Sequence, residues 1–415
     1  MTGNDKTGRG LASLKDADWL KRPATQAMFD ALSGEGVETR AVGGAVRNTF
    51  LKLPVAEVDL ATTATPQEVI ALAGKAGLKS VPTGIEHGTV TVIADGVPFE
   101  VTTLRRDVET YGRHAEVAFT RDWEVDAKRR DFTLNALYAD RDGTVFDPLH
   151  GYADLVAGRV RFIGEPEERI REDYLRILRF FRFNAYYGKG PLDKAGLQAC
   201  VSLRDGLVQL SAERIWIELK RILVAPRATD AVEALFDYGF LTELLGSVPR
   251  HLEFERLVAI EAANGLAPVA ALRLAVLAIF VQEDAARIAE RLKLSNAEQV
   301  VLALAADVPE GLPEGALAKA VLYRLGPDNY RATVLIAWAR SGAAESDARW
   351  IEALKLPDRW QAPDFPVRGQ DIMALGTAGP EVGTILRRLE QEWIEGGFVE
   401  TRERLLEKAA TLARP

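Results

Sequence analysis

The stretch AVGGAVRNTFLKLPVAEVDLAT, residues 41–62, decides the fold of this 415-residue chain. A short apolar run ends in a glycine pair, an amphipathic helix follows, and a second apolar run carries Glu57 and Asp59. Alternate side chains of a strand share one face, so the two carboxylates are expected to point the same way. The segment therefore predicts a strand–turn–helix–strand unit at the centre of a mixed α/β domain.

The same unit predicts a site for a phosphorylated ligand and a metal ion. The turn at Gly43 and Gly44 precedes a helix, where free backbone N–H groups bind anions, and Arg47 follows within that helix. Neighbouring carboxylates repel each other unless a cation lies between them, and Mg²⁺ is the usual hard cation. We predict that Glu57 and Asp59 bind Mg²⁺ at a nucleoside triphosphate site. The alternative is an ordinary glycine turn beside a solvent-facing strand edge.

Composition narrows the class of protein. Apolar residues make up 47% of the chain, but no run of about 18 of them occurs, so we expect a globular protein without a membrane partner. The single cysteine, Cys200, excludes an internal disulfide and fits a cytoplasmic location.

Charge and histidine content narrow the possible ligands. The net charge of −8 argues against DNA binding and against general RNA binding, but it is compatible with a local basic groove for one structured RNA. Only four histidines occur, far apart in sequence, which argues against a histidine-based metal site.

Strand and helix signals alternate in the first part of the chain. Apolar runs at 37–42 and 58–61, and two hairpins that turn at Asp-Gly pairs, predict about five strands within residues 35–150. From about residue 166 the strand signals end, and helical periodicity continues to the C-terminus. The expected fold class is an α+β head followed by a long all-α remainder.

A third carboxylate, Glu100, lies within the strand FEVTT. An acid buried without a partner costs free energy, so we place it beside Glu57 and Asp59. There it would close a three-acid cluster of the kind that phosphoryl transfer uses. A solvent-facing position on the strand is the alternative.

The segment KRRDFTLNAL, residues 128–137, supplies groups for another side of the ligand. Arg130 can pair bidentately with phosphate, while Asp131 and Asn135 can hydrogen-bond to ribose hydroxyls. A charged surface turn would account for the same residues. The preceding charged segment, residues 105–121, is expected to be either a surface loop or a mobile loop that closes on the nucleotide.

The segment EDYLRILRFFRF, residues 172–183, is expected to be helical, with acids and arginines on one face. Glu172, Asp173 and Arg176 share that face, and Arg179 follows one turn later. An aspartate acceptor beside an arginine fork can match the Watson–Crick edge of a base. A solvated face of salt bridges is the alternative.

In this order, the motifs resemble those of the class II tRNA nucleotidyltransferases, the CCA-adding enzymes, and of the related bacterial poly(A) polymerases. The matching segments, which also include EVTTLR and SAERIWIEL, extend over residues 41–219, about half of the chain. Residues 368–397 further resemble the tail of CCA-adding enzymes that lack a metal-dependent phosphohydrolase domain.

The resemblance implies a polymerase-β-like nucleotidyltransferase fold in the head, and helices beyond it that hold the tRNA acceptor arm. It implies CTP and ATP as substrates, the tRNA 3′ acceptor end as partner, Mg²⁺ as cofactor and pyrophosphate as product. The expected segments are an N-terminal helical extension at 1–34, the head at 35–155, a neck with the base-reading helix at 156–225, a helical body at 226–330 and a tRNA-binding tail at 331–415.

The resemblance also implies roles for individual residues. Glu57 and Asp59 would hold Mg²⁺ as catalytic residues, with Glu100 in support. Asp173 and Arg176 would read the base. The full set of expected nucleotide-binding residues is Gly43, Gly44, Arg47, Arg130, Asp131, Asn135, Glu172, Asp173, Arg176, Arg179 and Arg182.

Two positions depart from the family pattern. Glu57 stands where the family has aspartate, and a ligand misplaced by its extra methylene would slow the reaction. Asn48 stands where aspartate is common. The alternatives to CCA addition are an enzyme that adds only AMP, a poly(A) polymerase, which the acidic chain disfavours, and a non-catalytic RNA-binding relative.

Overall fold

The computed structural model describes residues 11–34, 36–111, 114–308 and 311–413, with side chains described outside 107–117. The chain divides into two compact units. The first unit ends at Ala231 and the second begins at Val232. Each is described by itself, and the finer division into head, neck, body and tail stays a prediction.

The first unit is built on a mixed sheet. Within its described residues the sheet has seven strands in the order β3-β4-β5-β2-β1-β8-β9, and β6 and β7 form a separate pair. The strands are β1 (Thr39–Val42), β2 (Asp59–Thr62), β3 (Lys79–Gly84), β4 (Thr89–Ala94), β5 (Val97–Thr103), β6 (Arg105–Tyr111), β7 (His114–Phe119), β8 (Tyr138–Ala139) and β9 (Val145–Phe146).

The register of the central strands brings the sequence motifs together. Strand β1 runs antiparallel to β2 and pairs Val42 with Asp59, so the turn that follows β1 lies beside this acid. Strand β2 runs parallel to β5 and pairs Leu60 with Val101. The same offset places Asp59 next to Glu100, on the outward face of both strands.

The first unit also contains helices, which pack around its sheet and continue along the chain after the last strand. Three short 3₁₀ helices lie at Ile85–His87, Thr133–Asn135 and Arg204–Gln209. The α-helices are α1 (Asp18–Lys21), α2 (Pro23–Leu32), α3 (Gly44–Phe50), α4 (Pro66–Lys75), α5 (Trp123–Lys128), α6 (Gly151–Ala157), α7 (Pro166–Glu172), α8 (Leu175–Tyr187), α9 (Lys194–Ser202), α10 (Ala212–Leu223) and α11 (Ala228–Asp237), which spans the boundary between the units.

Local sequence signals explain several of these elements. Thr65 and Glu68 form a reciprocal capping box at the start of α4, with proline at the first helical position. Asp95 and Gly96 both adopt positive φ angles between β4 and β5, as the tight turn of a two-residue hairpin requires. Gly43 has φ 66°, a conformation that glycine adopts without strain, and it turns the chain from β1 into α3.

The α+β fold class is confirmed, although the sheet has more strands than the roughly five expected. Strand β3 shows no clean apolar alternation and has no buried residue, which is why its sequence gave little signal. The prediction of a loop at 105–121 is wrong for the described part of this segment, which forms the β6–β7 hairpin. β-Branched residues such as Val117 favour strands there despite the surrounding charges. The expected hinge, Gly112, lies outside the described residues.

The helix expected over 172–183 is interrupted. Helix α7 ends at Glu172, and Asp173 has extended backbone angles of φ −156° and ψ 107°. Its carboxylate accepts a hydrogen bond from the Leu175 N–H at 3.1 Å. An aspartate side chain that takes a free N–H at a helix start stabilises a new helix, so α8 begins here.

An apolar core joins the head sheet to its helices. It is formed by Val42, Ala61, Leu104, Trp123, Ala127, Ala136, Tyr138 and Ile163. Near the N-terminus, Trp19 is buried and donates a hydrogen bond from Nε1 to the Thr49 hydroxyl at 2.7 Å. Helix α1 is thereby fixed to α3.

The second unit is helical throughout its described residues, as the periodicity predicts. None of the described helices is long and apolar enough to cross a membrane. Its C-terminal part has a core of its own that includes Trp393 and Leu405. The helices are α12 (Phe240–Leu245), α13 (His251–Ala263), α14 (Ala270–Ala278), α15 (Gln282–Leu292), α16 (Asn296–Ala306), α17 (Gly315–Ser341), α18 (Ala348–Leu354), α19 (Leu356–Arg359), α20 (Gly369–Met373), α21 (Pro380–Glu395) and α22 (Arg402–Leu412).

Candidate active site

A cavity of about 700 Å³ opens in the first unit at the turn that follows β1. Its described lining residues come from the strands β1, β2, β4, β5 and β6, the helices α3, α8 and α10, the 3₁₀ helix at Thr133–Asn135, and connecting segments that include residues 129–131. Eight arginines and five carboxylates are among them. A cavity so rich in arginine is suited to a polyanionic ligand, because guanidinium groups bind phosphate oxygens bidentately.

Three carboxylates lie along one wall. Glu57, Asp59 and Glu100 are all exposed and all line the cavity. Although Asp59 is solvent-exposed, the surrounding protein atoms limit its hydration. This desolvation, followed by the negative charges of Glu100 and Glu57, raises the pKa of Asp59 to about 6, against a weaker opposing effect of Arg130. Within the described residues, however, these side chains are not gathered into a group of three that could hold a metal ion. Asp59 and Glu100 are neighbours on the adjacent strands β2 and β5, whereas Glu57 lies in the segment before β2, so the expectation that Glu57 shares a strand with Asp59 is wrong. The predicted three-acid cluster is therefore not a preformed triad.

Arg47 lies on α3 at the glycine turn and is almost completely buried, with 8% of its surface exposed. Its Nε and Nη2 donate to the Asn48 Oδ1 at 3.1 and 2.9 Å, and its Nη1 donates to the Asn135 Oδ1 at 2.5 Å. Nη2 also donates to the Tyr187 hydroxyl at 2.7 Å, and the guanidinium lies 4.1 Å from the Tyr187 ring centroid. Neutral groups thus hold this cation at the cavity wall.

Asp131 organises the neighbouring part of the wall. It is buried, and its Oδ1 accepts from the Phe132 N–H at 2.8 Å and from the Asn135 amide at 2.9 Å. Its Oδ2 accepts from the Arg179 guanidinium. Burial opposes ionisation, but the Arg179 charge and these hydrogen bonds lower the pKa of Asp131 to about 2. Asp131 is therefore an ionised carboxylate with its hydrogen-bonding capacity largely taken up by the protein.

Arg130 is paired with a buried acid, Asp126, that was not predicted from the sequence. Asp126 is fully buried and accepts hydrogen bonds from Arg129 at 2.7 Å, Arg130 at 3.2 Å and the Tyr138 hydroxyl at 2.9 Å. Burial disfavours its charge, yet the two arginines lower the pKa of Asp126 overall. The spacing of Asp126 to the arginine pair, three and four positions along α5, is the signal that could have identified it.

The expected base-reading residues lie at the break between α7 and α8. Asp173 accepts a hydrogen bond from Arg214 of α10 at 2.6 Å. Arg176 pairs with Glu172 and donates to the Arg169 carbonyl at 2.7 Å. Asp173 and Arg176 both line the cavity, whereas Glu172 lies behind Arg176 as its ionic partner. The acceptor and the donor are therefore held at the cavity wall by separate partners.

Helix α10 holds the remaining arginines of α8. Glu218 is buried, with 3% of its surface exposed, and it pairs with Arg182 and lies 3.8 Å from Arg179. Both arginines also lie over the Phe183 ring, at 4.5 Å for Arg182 and 5.5 Å for Arg179. Arg182 is not among the described residues that line the cavity and lies behind Arg179 and Phe183.

The structure brings most of the predicted set together. Glu172 and Arg182 are the predicted residues that lie behind the cavity rather than in its lining. Sequence reasoning missed Arg214, Glu218 and Arg221, although their spacing of four and three positions places them on one face of α10. The predicted residues that line the cavity are Gly43, Gly44, Arg47, Glu57, Asp59, Glu100, Arg130, Asp131, Asn135, Asp173, Arg176 and Arg179.

Family profiles match two parts of the chain. Residues 39–161 match a profile described as the poly A polymerase head domain. Residues 191–251 match one described as the probable RNA and SrmB-binding site of polymerase A. The first match contains the glycine turn and all three wall carboxylates.

Full-length relatives are similar over nearly the whole chain. The mitochondrial CCA tRNA nucleotidyltransferase 1 of Mus musculus is 36% identical over 412 residues, which cover 93% of this chain and 92% of the relative. The CCA-adding enzyme of Levilactobacillus brevis is 31% identical and covers 93% and 96%. Among solved structures, the Bacillus stearothermophilus CCA-adding enzyme in complex with CTP matches with a TM-score of 0.74 at 28% identity, over 94% of this chain and 98% of that one.

Proposed function

Because this chain belongs to the family of CCA tRNA nucleotidyltransferases, we propose that it adds CMP and AMP, from CTP and ATP, to the 3′ end of tRNA. The reaction releases pyrophosphate. The observation that carries the proposal is the cavity itself, which is lined by the carboxylates of Glu57, Asp59 and Glu100 and by eight arginines. Such a cavity accepts a nucleoside triphosphate and provides acids for a divalent cation at the same place.

The chemistry of these acids suits Mg²⁺, because carboxylate oxygens are the ligands that this ion prefers. Desolvation is the largest cause of the raised pKa of Asp59, and the negative charges of Glu100 and Glu57 add to it. A hard divalent cation would relieve this repulsion between the carboxylates. We propose that Glu57 and Asp59 hold the ion and that Glu100 supports them. The bound ion would activate the attacking 3′ hydroxyl and stabilise the leaving pyrophosphate.

The triphosphate is bound by the cationic side of the cavity. Arg47 and Arg130 are fixed by hydrogen bonds to the protein, so little conformational freedom is lost when phosphate oxygens bind. Asp131 and Asn135 connect Arg47 to Arg179 in one hydrogen-bonded chain. This chain orients the arginines, and we propose that it also borders the ribose.

The base is read by protein side chains. Asp173 presents an acceptor and Arg176 presents donors at the cavity wall. These two groups can pair with the edge of cytosine or adenine and exclude bases with the opposite donor and acceptor pattern. No nucleic-acid template is needed for this recognition.

A direct assay tests the function. The full chain is incubated with Mg²⁺ and tRNA that lacks its 3′ CCA, with labelled CTP or ATP, singly and together. We expect two CMP and one AMP per tRNA, and none with Asp59→Ala. Absence of incorporation by the unmodified chain overturns the proposal. AMP addition only to tRNA that already ends in CC identifies an A-adding enzyme, and long A tails identify a poly(A) polymerase.

We further propose that the protein acts in a reducing compartment such as the cytoplasm. Its single cysteine, Cys200, is buried and contributes no disulfide. The relatives include mitochondrial enzymes, so the cytoplasm and the mitochondrion are the two compartments to compare. Fractionation of the native source with antibody detection distinguishes the two.

A further inference from the structure

The break between α7 and α8 is held from outside the cavity by the side chain of Tyr174. Its chain neighbours, Asp173 and Leu175, line the cavity, whereas Tyr174 is not among the described lining residues. Tyr174 directly precedes α8, and its carbonyl accepts a hydrogen bond from the Ile177 N–H at 3.1 Å. Its half-buried side chain extends toward the 3₁₀ helix at Arg204–Gln209 instead.

The Tyr174 ring lies against Gly206 of that 3₁₀ helix. A Cβ atom on Gly206 would overlap the ring atoms Cδ1 and Cε1 and would lie 2.6 Å from Cγ. These separations are well below the about 3.5 Å of a van der Waals contact between carbon atoms. Rotation of the ring about its own axis leaves Cγ in place, so it cannot relieve the overlap. A methyl group on Gly206 would therefore displace the whole side chain of Tyr174 or the backbone that carries it.

Gly206 is not required for its backbone freedom. Its φ angle lies outside the left-handed region. Its N–H donates to the Leu203 carbonyl at 3.1 Å, as in any 3₁₀ turn. Alanine could adopt the same backbone, so the close approach of Tyr174 is what explains the missing side chain at this buried position.

The contact at Gly206 adjoins a second support of the same break. The 3₁₀ helix leads directly into α10, which carries Arg214. Arg214 donates a hydrogen bond of 2.6 Å to the Asp173 carboxylate, while Gly206 contacts the next residue, Tyr174. One continuous segment, residues 204–214, thus holds two consecutive residues of the break.

We propose that Gly206 is a positioning residue for base selection, because it allows the Tyr174 ring to fix the break from which Asp173 and Arg176 reach the base. The inference rests on the proposed function, in which these two residues read the base. Displacement of Tyr174 would let the acceptor and the donors move relative to each other. Uracil, whose edge has donor and acceptor exchanged relative to cytosine, would then be excluded less strongly.

The test is the preference of the full chain for CTP over UTP. Calorimetry with Mg²⁺ gives the Kd of each nucleotide, and thermal unfolding is recorded beside it. For Gly206→Ala we expect the ratio of the UTP Kd to the CTP Kd to fall about tenfold. Discrimination in kcat/KM on CCA-less tRNA should fall with it. A merely structural role would lower the melting temperature and leave the ratio unchanged.

Variants of Tyr174 separate the ring contact from other effects. Tyr174→Phe keeps the ring and should keep the ratio. Tyr174→Ala removes the ring and should lower the ratio as Gly206→Ala does. Combining the two alanine substitutions should lower it no further, because the methyl group then has no ring to displace. An unchanged ratio in Tyr174→Ala overturns the inference, even where Gly206→Ala fails to fold, and so do additive effects in the double variant.

Gly196→Ala is the matched control. Gly196 is also buried in the first unit, and a Cβ atom there would lie 2.9 Å from Cε2 of Phe180. Phe180 is not part of the break or of the described cavity lining, so we expect a lower melting temperature with an unchanged ratio.

The unmodified chain distinguishes the two proposals. If it prefers CTP to UTP but adds nothing to tRNA, the proposed function fails, while the role of Gly206 is still decided by the ratio of dissociation constants. If it shows no preference for CTP over UTP, the inference fails whatever the tRNA assay shows.

Discussion

Arg214 donates a hydrogen bond of 2.6 Å to the Asp173 carboxylate, across 41 positions of sequence. The other Asp173 oxygen accepts from the Leu175 N–H. The acid that we propose to read the base is therefore held from two sides, by α10 and by the first turn of α8. Its orientation therefore depends in part on α10, whose Arg214 and Arg221 also line the cavity.

Replacement of Arg214 should relax the choice of nucleotide. Arg214→Ala frees the Asp173 carboxylate to rotate, so we expect AMP misincorporation at the first position of CCA-less tRNA to rise about tenfold. The measurement is the ratio of kcat/KM for CTP and ATP on that tRNA. Arg171→Ala, at an exposed arginine paired with Glu167 on α7, is the control. An unchanged ratio in Arg214→Ala would show that Asp173 needs no support from α10.

Glu57→Asp should leave the activity equal or increase it. Glu57 is exposed at the cavity wall, and the shorter side chain keeps the charge while removing one methylene. If the glutamate is a longer substitute for a metal-binding aspartate, the change moves the carboxylate by about 1 Å without altering the ligand type. Initial rates over a Mg²⁺ titration decide the question. A loss of about 100-fold would mean that the active site is built around the longer side chain.

The ionised Asp131 carboxylate should add to the free energy of unfolding at neutral pH, and this contribution should be lost in acid. Its pKa is about 2 in the folded chain against an ordinary 3.8, so its contribution is complete above about pH 4 and declines as the pH falls toward 2. The shift corresponds to roughly 2 kcal/mol. Urea unfolding of the unmodified chain and of Asp131→Asn should therefore differ most near neutral pH and converge in acid.

The control for this experiment is Asp205→Asn, because the Asp205 side chain is 96% exposed. Its unfolding curve should follow that of the unmodified chain at each pH. A difference between Asp131→Asn and the unmodified chain that stays constant down to pH 2 would contradict the assigned titration.

Cys200 should be chemically inert in the folded chain. The side chain is fully buried, and burial raises the pKa of its thiol, so little thiolate forms at neutral pH. We expect a colorimetric disulfide reagent to react at least about 100-fold more slowly with the native chain than with the chain in urea. Rapid modification of the native chain would indicate that α9 opens readily.

Local signals in the sequence were enough to predict the centre of the head. The glycine turn, the capping box of Thr65 and the Asp95-Gly96 hairpin are each determined by residues within a few positions of one another. The neighbouring positions of Asp59 and Glu100 also follow from strand alternation, once β2 and β5 are taken to be adjacent. The outward face of each strand then fixes where the acids point.

The supporting residues could not be derived in the same way. Asp173 and Arg214 lie 41 positions apart, and Arg182 and Glu218 lie 36 apart, so tertiary packing alone brings them into contact. The break at Asp173 was hidden because its sequence continues the helical pattern on both sides. The β6–β7 hairpin was not predicted because its segment is rich in charged residues, which are typical of loops. The preference of its β-branched residues for strands was therefore given too little weight.

The division of the chain within α11 has a consequence for how substitutions act. All described residues that line the cavity lie before Val232, in one compact unit. A substitution in a cavity-lining residue can change a contact with the ligand directly. A substitution in the second unit is expected to change the site only indirectly, through the stability of the fold or through the binding of a partner.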